Sequence, residues 1–386
     1  MTPLPSSANP ARRIIVAATA VVATTIICLI LLELLVRTFI FDPSLSYIRT
    51  PGWSMLVKTN GVIPHVEGDH RIVINSQGFR GGLPPISPAL SIAVIGGSTV
   101  EDWVLSEEET WTKKLQADLA ECAPDVWAAN LGKSGTNARH HLIQLPETES
   151  YMQHYDYIVV LMGLNDFLYD FRIHHSFETP ENWWRDQALM YQGGSEGTLA
   201  TIAMAKRLYT AYVTPPPSSE PVSNFGAYMQ YLWDAYHKVS EDQWVTALPD
   251  ASAHLETYKD TIRRLKTYAD GYGAELVLVT QPYVWSDNMD EAALNQIYAG
   301  FIGADITSPE TKWYTASALE RGLAAYNATL LTECAAQGIL CVDAAQSMIG
   351  NASFFYDDFH FSEAGADHIA GRVAAAFKTE IPIQCR

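Results

Sequence analysis

Residues 91–99 read Ser91-Ile92-Ala93-Val94-Ile95-Gly96-Gly97-Ser98-Thr99: a short apolar run that passes directly into two glycines and two hydroxyl side chains. An apolar run without polar alternation suits a strand buried on both faces, and such strands occur in parallel sheets covered by helices. The rest of the chain repeats the unit. Thr110–Cys122 has helical spacing through Trp111, Leu115 and Leu119, and Val126–Leu131 is a second strand. Ala138–Tyr151 is a predicted helix that Pro146 should break or kink. Tyr157–Met162 is a third strand, Leu255–Tyr272 an amphipathic helix, Glu275–Thr280 a fourth strand, Leu319–Gln337 a helix, Ile339–Val342 a fifth strand and Glu363–Phe377 a closing helix. Strands alternating with helices predict an α/β domain over residues 71–386, its parallel sheet covered on both faces.

Working toward the N-terminus, Gly81–Leu90 holds three prolines and reads as a loop, and Arg71–Arg80 as a short strand running into a turn at Gly78. Residues 37–70 show no strong periodicity and read as a juxtamembrane connector. Residues 14–36 are apolar apart from Glu33 and a few small polar side chains. As a helix they reach roughly 34 Å, enough to cross a hydrocarbon core of about 30 Å. Arg12 and Arg13 precede them, so residues 1–13 are expected in the cytoplasm and everything after residue 36 in the periplasm or outside the cell. A cleavable signal peptide fits less well, because the apolar stretch is long and no small-x-small site follows it.

Between residues 167 and 253 the alternation lapses. Trp183, Trp184, Trp233, Trp244 and a triple proline at 215–217 sit among helical fragments. The segment is an insertion, either a surface element with its own small core or a lid or platform beside a site at the strand ends. The formal net charge is −18, and the first 41 residues hold Arg12, Arg13 and Arg37 against Glu33 alone, so the acidity belongs to the exported part. Such a surface repels phosphate backbones, and nucleic acid is excluded as a partner. Of five cysteines, Cys28 lies in the span; Cys122, Cys334, Cys341 and Cys385 either form two disulfides or remain free and buried. Asn327-Ala-Thr and Asn351-Ala-Ser are glycosylation sequons.

Three short motifs follow predicted strands. Gly96-Gly97-Ser98-Thr99 makes a tight turn that exposes a serine and places backbone N–H groups near a developing oxyanion. Asn130-Leu-Gly-Lys-Ser-Gly135-Thr-Asn offers the N–H of Gly135. Gly163-Leu-Asn165-Asp166 offers the Asn165 amide, with Asp166 as a cap for the helix it opens. A fourth piece, Asp357-Asp358-Phe359-His360, precedes the closing helix. Either aspartate has geometry to reach the imidazole; spacing favours Asp357. Each piece alone is a common turn. Together they compose a nucleophile, Ser98, a base, His360, and an orienting acid, Asp357. His140-His141 and His174-His175 are adjacent pairs whose side chains diverge, and no metal or cofactor is expected.

This order of motifs resembles the SGNH, or GDSL, hydrolase superfamily from Ile92 to Phe377, with the insertion as the poorly matched part. The resemblance implies a three-layer, flavodoxin-like α/β/α sandwich with five parallel strands, and acyl-ester hydrolysis without metal or organic cofactor. Position by position, it makes Ser98 the nucleophile, gives Ser98, Gly135 and Asn165 the oxyanion hole, and assigns Asp357 and His360 to the Asp-x-x-His block. One departure is Gly97, where the name-giving motif has Asp. Asn75-Ser-Gln-Gly-Phe-Arg80-Gly81 is similar to a segment of membrane-anchored members and is read as structural. The expected substrate is an ester-bearing small molecule or carbohydrate, with a short acyl group such as acetyl. An acyltransferase would use the same acyl-enzyme, and a catalytically silent binding protein is the reading from another class.

Overall fold

The structure is a computed structural model that describes residues 10–36, 49, 52–149, 154–173, 201–202, 205, 221–287, 289–303, 306 and 308–380. His174, His175, Trp183, Trp184, the prolines at 215–217 and Cys385 lie outside the described residues. The chain divides into two units, residues 1–46 with 182–218, and residues 47–181 with 219–386.

In the first unit, α1 (Pro10–Leu35) carries Arg12 and Arg13 in its first turn and is apolar from Ile14 onward apart from Glu33 and a few small polar side chains. Its stretch Ile14–Leu35 has a mean hydropathy of 2.8, long and apolar enough to cross a membrane or to act as a signal sequence. The hydroxyls of Thr19 and Thr25 donate to the carbonyls of Ile15 and Val21 (2.9 Å each), so neither leaves an unbonded polar group on the helix. The Glu33 carboxylate accepts from the backbone N–H and the hydroxyl of Thr201 (3.0 and 2.9 Å).

The second unit is built on a five-stranded sheet of β1 (Leu90–Gly96), β2 (Val126–Asn130), β3 (Tyr157–Met162), β4 (Glu275–Thr280) and β5 (Leu340–Val342). All pairings are parallel and the spatial order is β2-β1-β3-β4-β5. Every residue of β1 is buried, as its unalternated apolar sequence requires. Of the helices, α2 (Trp111–Ala120) packs on α6 (Glu363–Glu380), and α4 (Ser252–Tyr272) packs between α3 (Ala138–Glu149) and α5 (Ala316–Gln337). The caps are local in origin. Thr110 and Thr315 accept from the N–H groups of Lys113 and Ala318, while Gly273 and Gly338 close α4 and α5 in left-handed conformations. Strand order reverses between β1 and β3, so a crevice opens beyond their carboxyl ends.

Several sequence expectations are corrected. Pro146 does not break α3, which continues to Glu149; the proline lies in the last turn, where it removes only one ladder bond. The connector expected over 37–70 ends earlier. Ser54–Val57 pairs antiparallel with His70–Val73 and parallel with Val222–Ser223, and Met55, Val57, Ile72 and Ile74 form a small core of their own. Four-residue strands are too short to show a period. In the described part of the insertion, Trp233 is buried and donates its indole N–H to Gln296 O (2.7 Å), and Trp244 meets Tyr236 edge-on. Both are packing residues. Asn327 exchanges hydrogen bonds with the backbone of Gln281 (2.9 and 3.0 Å) and is buried, which removes it as a glycan acceptor in the folded chain. Cys334 and Cys341 form a disulfide, Cys122 is disulfide-bonded, and Cys28 is free.

Candidate active site

Ser98 is the first residue of a single helical turn, Ser98–Glu101, immediately after β1. The residue before it has little room for a side chain, since a Cβ on Gly97 would fall 2.5 Å from Asn165 Nδ2. Glycine at this position therefore lets the serine turn lie close against Asn165. Gly135, after β2, has φ +78°, a conformation that favours glycine. The loop around it is braced from three sides. Ser134 donates both its N–H (2.7 Å) and its hydroxyl (2.6 Å) to Glu101, Tyr169 donates its hydroxyl to Gly135 O (2.7 Å), and Asn165 donates its amide to Thr136 O (2.6 Å). Asp166, beside Asn165, accepts from Ala138 N–H and so caps α3 instead of the helix it opens. Burial, aided by nearby Asp170, pushes its carboxyl up to about 7.

The fourth piece follows β5 and two single-turn helices. His360 Nε2 lies 2.7 Å from Ser98 Oγ, and His360 Nδ1 lies 2.7 Å from Asp357 Oδ2. The other oxygen of Asp357 accepts from the N–H groups of Phe359 (3.0 Å) and His360 (2.8 Å), so the carboxylate is fixed by its own loop. The imidazole stacks on Tyr356, with ring centroids 5.4 Å apart and planes 7° from parallel. Asp358 points elsewhere. It accepts from Trp285 Nε1 (2.7 Å) and from the N–H groups of Tyr298 (2.7 Å) and Ala299 (3.1 Å). Burial and the adjacent Asp357 raise its carboxyl to about 7.

The structure thus brings Ser98, His360 and Asp357 into one hydrogen-bonded chain and sets Gly135 and Asn165 beside the serine turn. Two residues that sequence reasoning did not single out shape this arrangement. Glu101, buried, bridges the serine turn to the Gly135 loop and is itself paired with Arg49 (2.5 Å). Arg80, noted only as part of a structural segment, donates to the carbonyls of Glu101, Asp102 and Leu105 and to the Glu107 carboxylate. Nothing in the sequence tells which carbonyls an arginine 18 residues before the serine will meet. His140 and His141 are buried and driven down to about 3 and about 4, so both are neutral at ordinary pH, and the N–H of Asn137 donates to His140 Nδ1 (3.0 Å). Among the described residues no group of His, Cys, Asp or Glu is placed to hold a metal ion.

With that geometry in hand, comparison with known proteins adds three findings. A model of the GDSL-like lipase/acylhydrolase family matches residues 94–368. No curated protein matches the chain. Similar solved structures include LAE5, an alpha/beta hydrolase enzyme from the metagenome of Lake Arreo, Spain, at 14% identity and TM-score 0.41, covering 76% of this chain and 97% of that one. A lipolytic G-D-S-L family protein from Veillonella parvula shares 12% identity at TM-score 0.41, covering 75% and 100%. Axe2, an acetylxylan esterase from Geobacillus stearothermophilus, shares 14% identity at TM-score 0.40, covering 78% and 97%.

Proposed function

The chain belongs to the GDSL-like lipase/acylhydrolase family, and from that premise we propose that it hydrolyses esters through an acyl-enzyme on Ser98. Ser98 Oγ attacks the ester carbonyl carbon as its proton passes to His360 Nε2. The carbonyl oxygen becomes an oxyanion that accepts from the N–H groups of Ser98 and Gly135 and from the Asn165 amide, one of whose N–H bonds already goes to Thr136. Collapse breaks the ester C–O bond, and the same imidazole proton passes to the departing alkoxide. Water then attacks the acyl carbon, giving its proton to His360; the acid leaves and Ser98 recovers its hydrogen. Asp357 holds the imidazole by Nδ1 so that Nε2 faces the serine.

One observation carries this reading: hydrogen bonds of 2.7 Å on both sides of His360, reaching across 262 residues of sequence to the serine. The substrate proposed is a short acyl ester, such as an acetyl group, on carbohydrate or envelope material outside the cytoplasm. Arg12 and Arg13 ahead of α1 support a cytoplasmic N-terminus, and the disulfide Cys334–Cys341 supports an oxidising compartment for the second unit. In a test on the full chain in detergent, a fluorophosphonate probe is expected to label Ser98. Ser98→Ala should abolish labelling and lower turnover of a panel of acetyl esters on the order of 10 000-fold. Folded wild type that takes no label would overturn the proposal. Added sugar acceptors that divert the acyl group from water would instead make it a transferase.

A further inference from the structure

Among the described residues, Arg172 forms no ion pair. Arg172 lies on the turn Tyr169–Ile173, just past the short helix Leu164–Leu168 that follows β3 and carries Asn165. Its Cζ sits 3.9 Å from the ring centroid of Phe301, and its carbonyl accepts from Gly303 N–H (2.8 Å). The neighbouring carboxylate, Asp170, is taken by His254 (2.9 Å) and by the Tyr326 hydroxyl. The other carboxylate that bears on the guanidinium is Asp358, whose oxygens already accept three N–H donors. Arg172 Nε is buried and bonded to no acceptor among the described residues.

Its surroundings tie it to the site. The titratable groups around it are Tyr298, Tyr169, Tyr228 and Asp358. Tyr169 braces Gly135, and Asp358 binds the backbone of Tyr298 while adjoining Asp357. Arg172 is thus linked to the oxyanion loop by its own turn, which carries Tyr169, and to the Asp357–His360 segment by residues 298–303, whose Tyr298 and Ala299 N–H groups bind Asp358. A guanidinium Nε withdrawn from water without a hydrogen-bonding partner is costly, and the half-buried side chain leaves the rest of the fork open to a ligand. Its planar fork matches the oxygens of a carboxylate or phosphate, and the aromatic ring beneath it keeps the plane in place.

We propose that Arg172, backed by Phe301 and flanked by Tyr298, is the subsite for an oxyanion, a carboxylate or a phosphate, borne by the ester substrate. The inference deepens the ester-hydrolase reading and rests on it. The test uses three methyl O-acetyl-galactosides that differ only at C6: a hydroxymethyl group, a carboxylate or a phosphate. For wild type, kcat/KM on one of the charged esters should exceed that on the neutral ester by about tenfold or more, mainly through KM. Which charged ester gains tells a carboxylate site from a phosphate site. Arg172→Gln should collapse the charged-to-neutral ratio toward one, and Arg172→Lys should retain part of it, because lysine keeps the charge and loses the fork. Each ratio is measured within one protein preparation, so a loss of folded enzyme cannot mimic the effect. A wild-type ratio of one or less for both anions, or a preference that survives Arg172→Gln, overturns the subsite. Should none of the esters be cleaved, equilibrium binding of the three deacetylated galactosides to wild type and Arg172→Gln decides. An anion preference that depends on Arg172 would uphold the subsite and count against ester hydrolysis; no such preference would overturn the subsite.

Discussion

Asp357 and Asp358 are chemically identical neighbours, both fully buried, and their surroundings separate them. Asp357 faces the imidazole and accepts from the backbone of its own loop, whereas Asp358 gathers Trp285, Tyr298 and Ala299 from segments distant in sequence. Spacing favoured Asp357 as the histidine's partner; the role of Asp358 was not legible, because its donors come from chain that only folding brings near. Its carboxyl is raised to about 7, above the ordinary carboxylate value near 3.9, so between those pH values the folded chain holds a proton that the unfolded chain releases. Stability from this group is therefore full below about pH 4, falls as pH rises to about 7, and is level above. Asp166, shifted in the same sense, adds to the slope. Urea unfolding at pH 5 and pH 8 should show Asp358→Asn losing less stability over that interval than wild type. Equal losses would refute the assignment.

Among the elements, β1 and the turn after it depend on a segment that precedes them. The Asn75–Gly81 turn sends Arg80 under the serine turn, where its guanidinium meets three backbone carbonyls that have left the regular hydrogen-bond ladders. Glu101 then carries the constraint across to Ser134 and the Gly135 loop. Arg80→Met would remove that donor from all three carbonyls, of which Asp102 O keeps only the Leu105 N–H, and is expected to destabilise the fold on the order of 3 kcal/mol, read as a lower urea midpoint. A midpoint equal to wild type would show that water replaces the guanidinium. Long elements were readable from sequence: β1, β3, β4, α4 and α5 fall within a few residues of their predicted spans, because each has a sustained apolar pattern and a local stop signal. The strand Ser54–Val57 was hidden because its partners lie at His70–Val73 and Val222–Ser223, and four residues carry no period of their own.

At the scale of the molecule, the chain joins one apolar helix to an acidic α/β unit. If α1 is an uncleaved anchor, the full chain should stay with the membrane fraction through an alkaline carbonate wash, and its mass should include residues 1–36; a soluble product beginning after the apolar stretch would identify a cleaved signal. Sequence alone determined the layered α/β class and the apolar span, since apolar periodicity and turn chemistry act between residues close in the chain. It also named the four blocks, through local signals and family resemblance. Tertiary structure alone decided that Glu101 braces the Gly135 loop, that Asp358 ties down segments remote in sequence, and that Arg172 rests over Phe301 with its Nε bonded to no acceptor among the described residues. Each of those facts is a distance between groups far apart along the chain, fixed when the sheet sets its strands in the order β2-β1-β3-β4-β5.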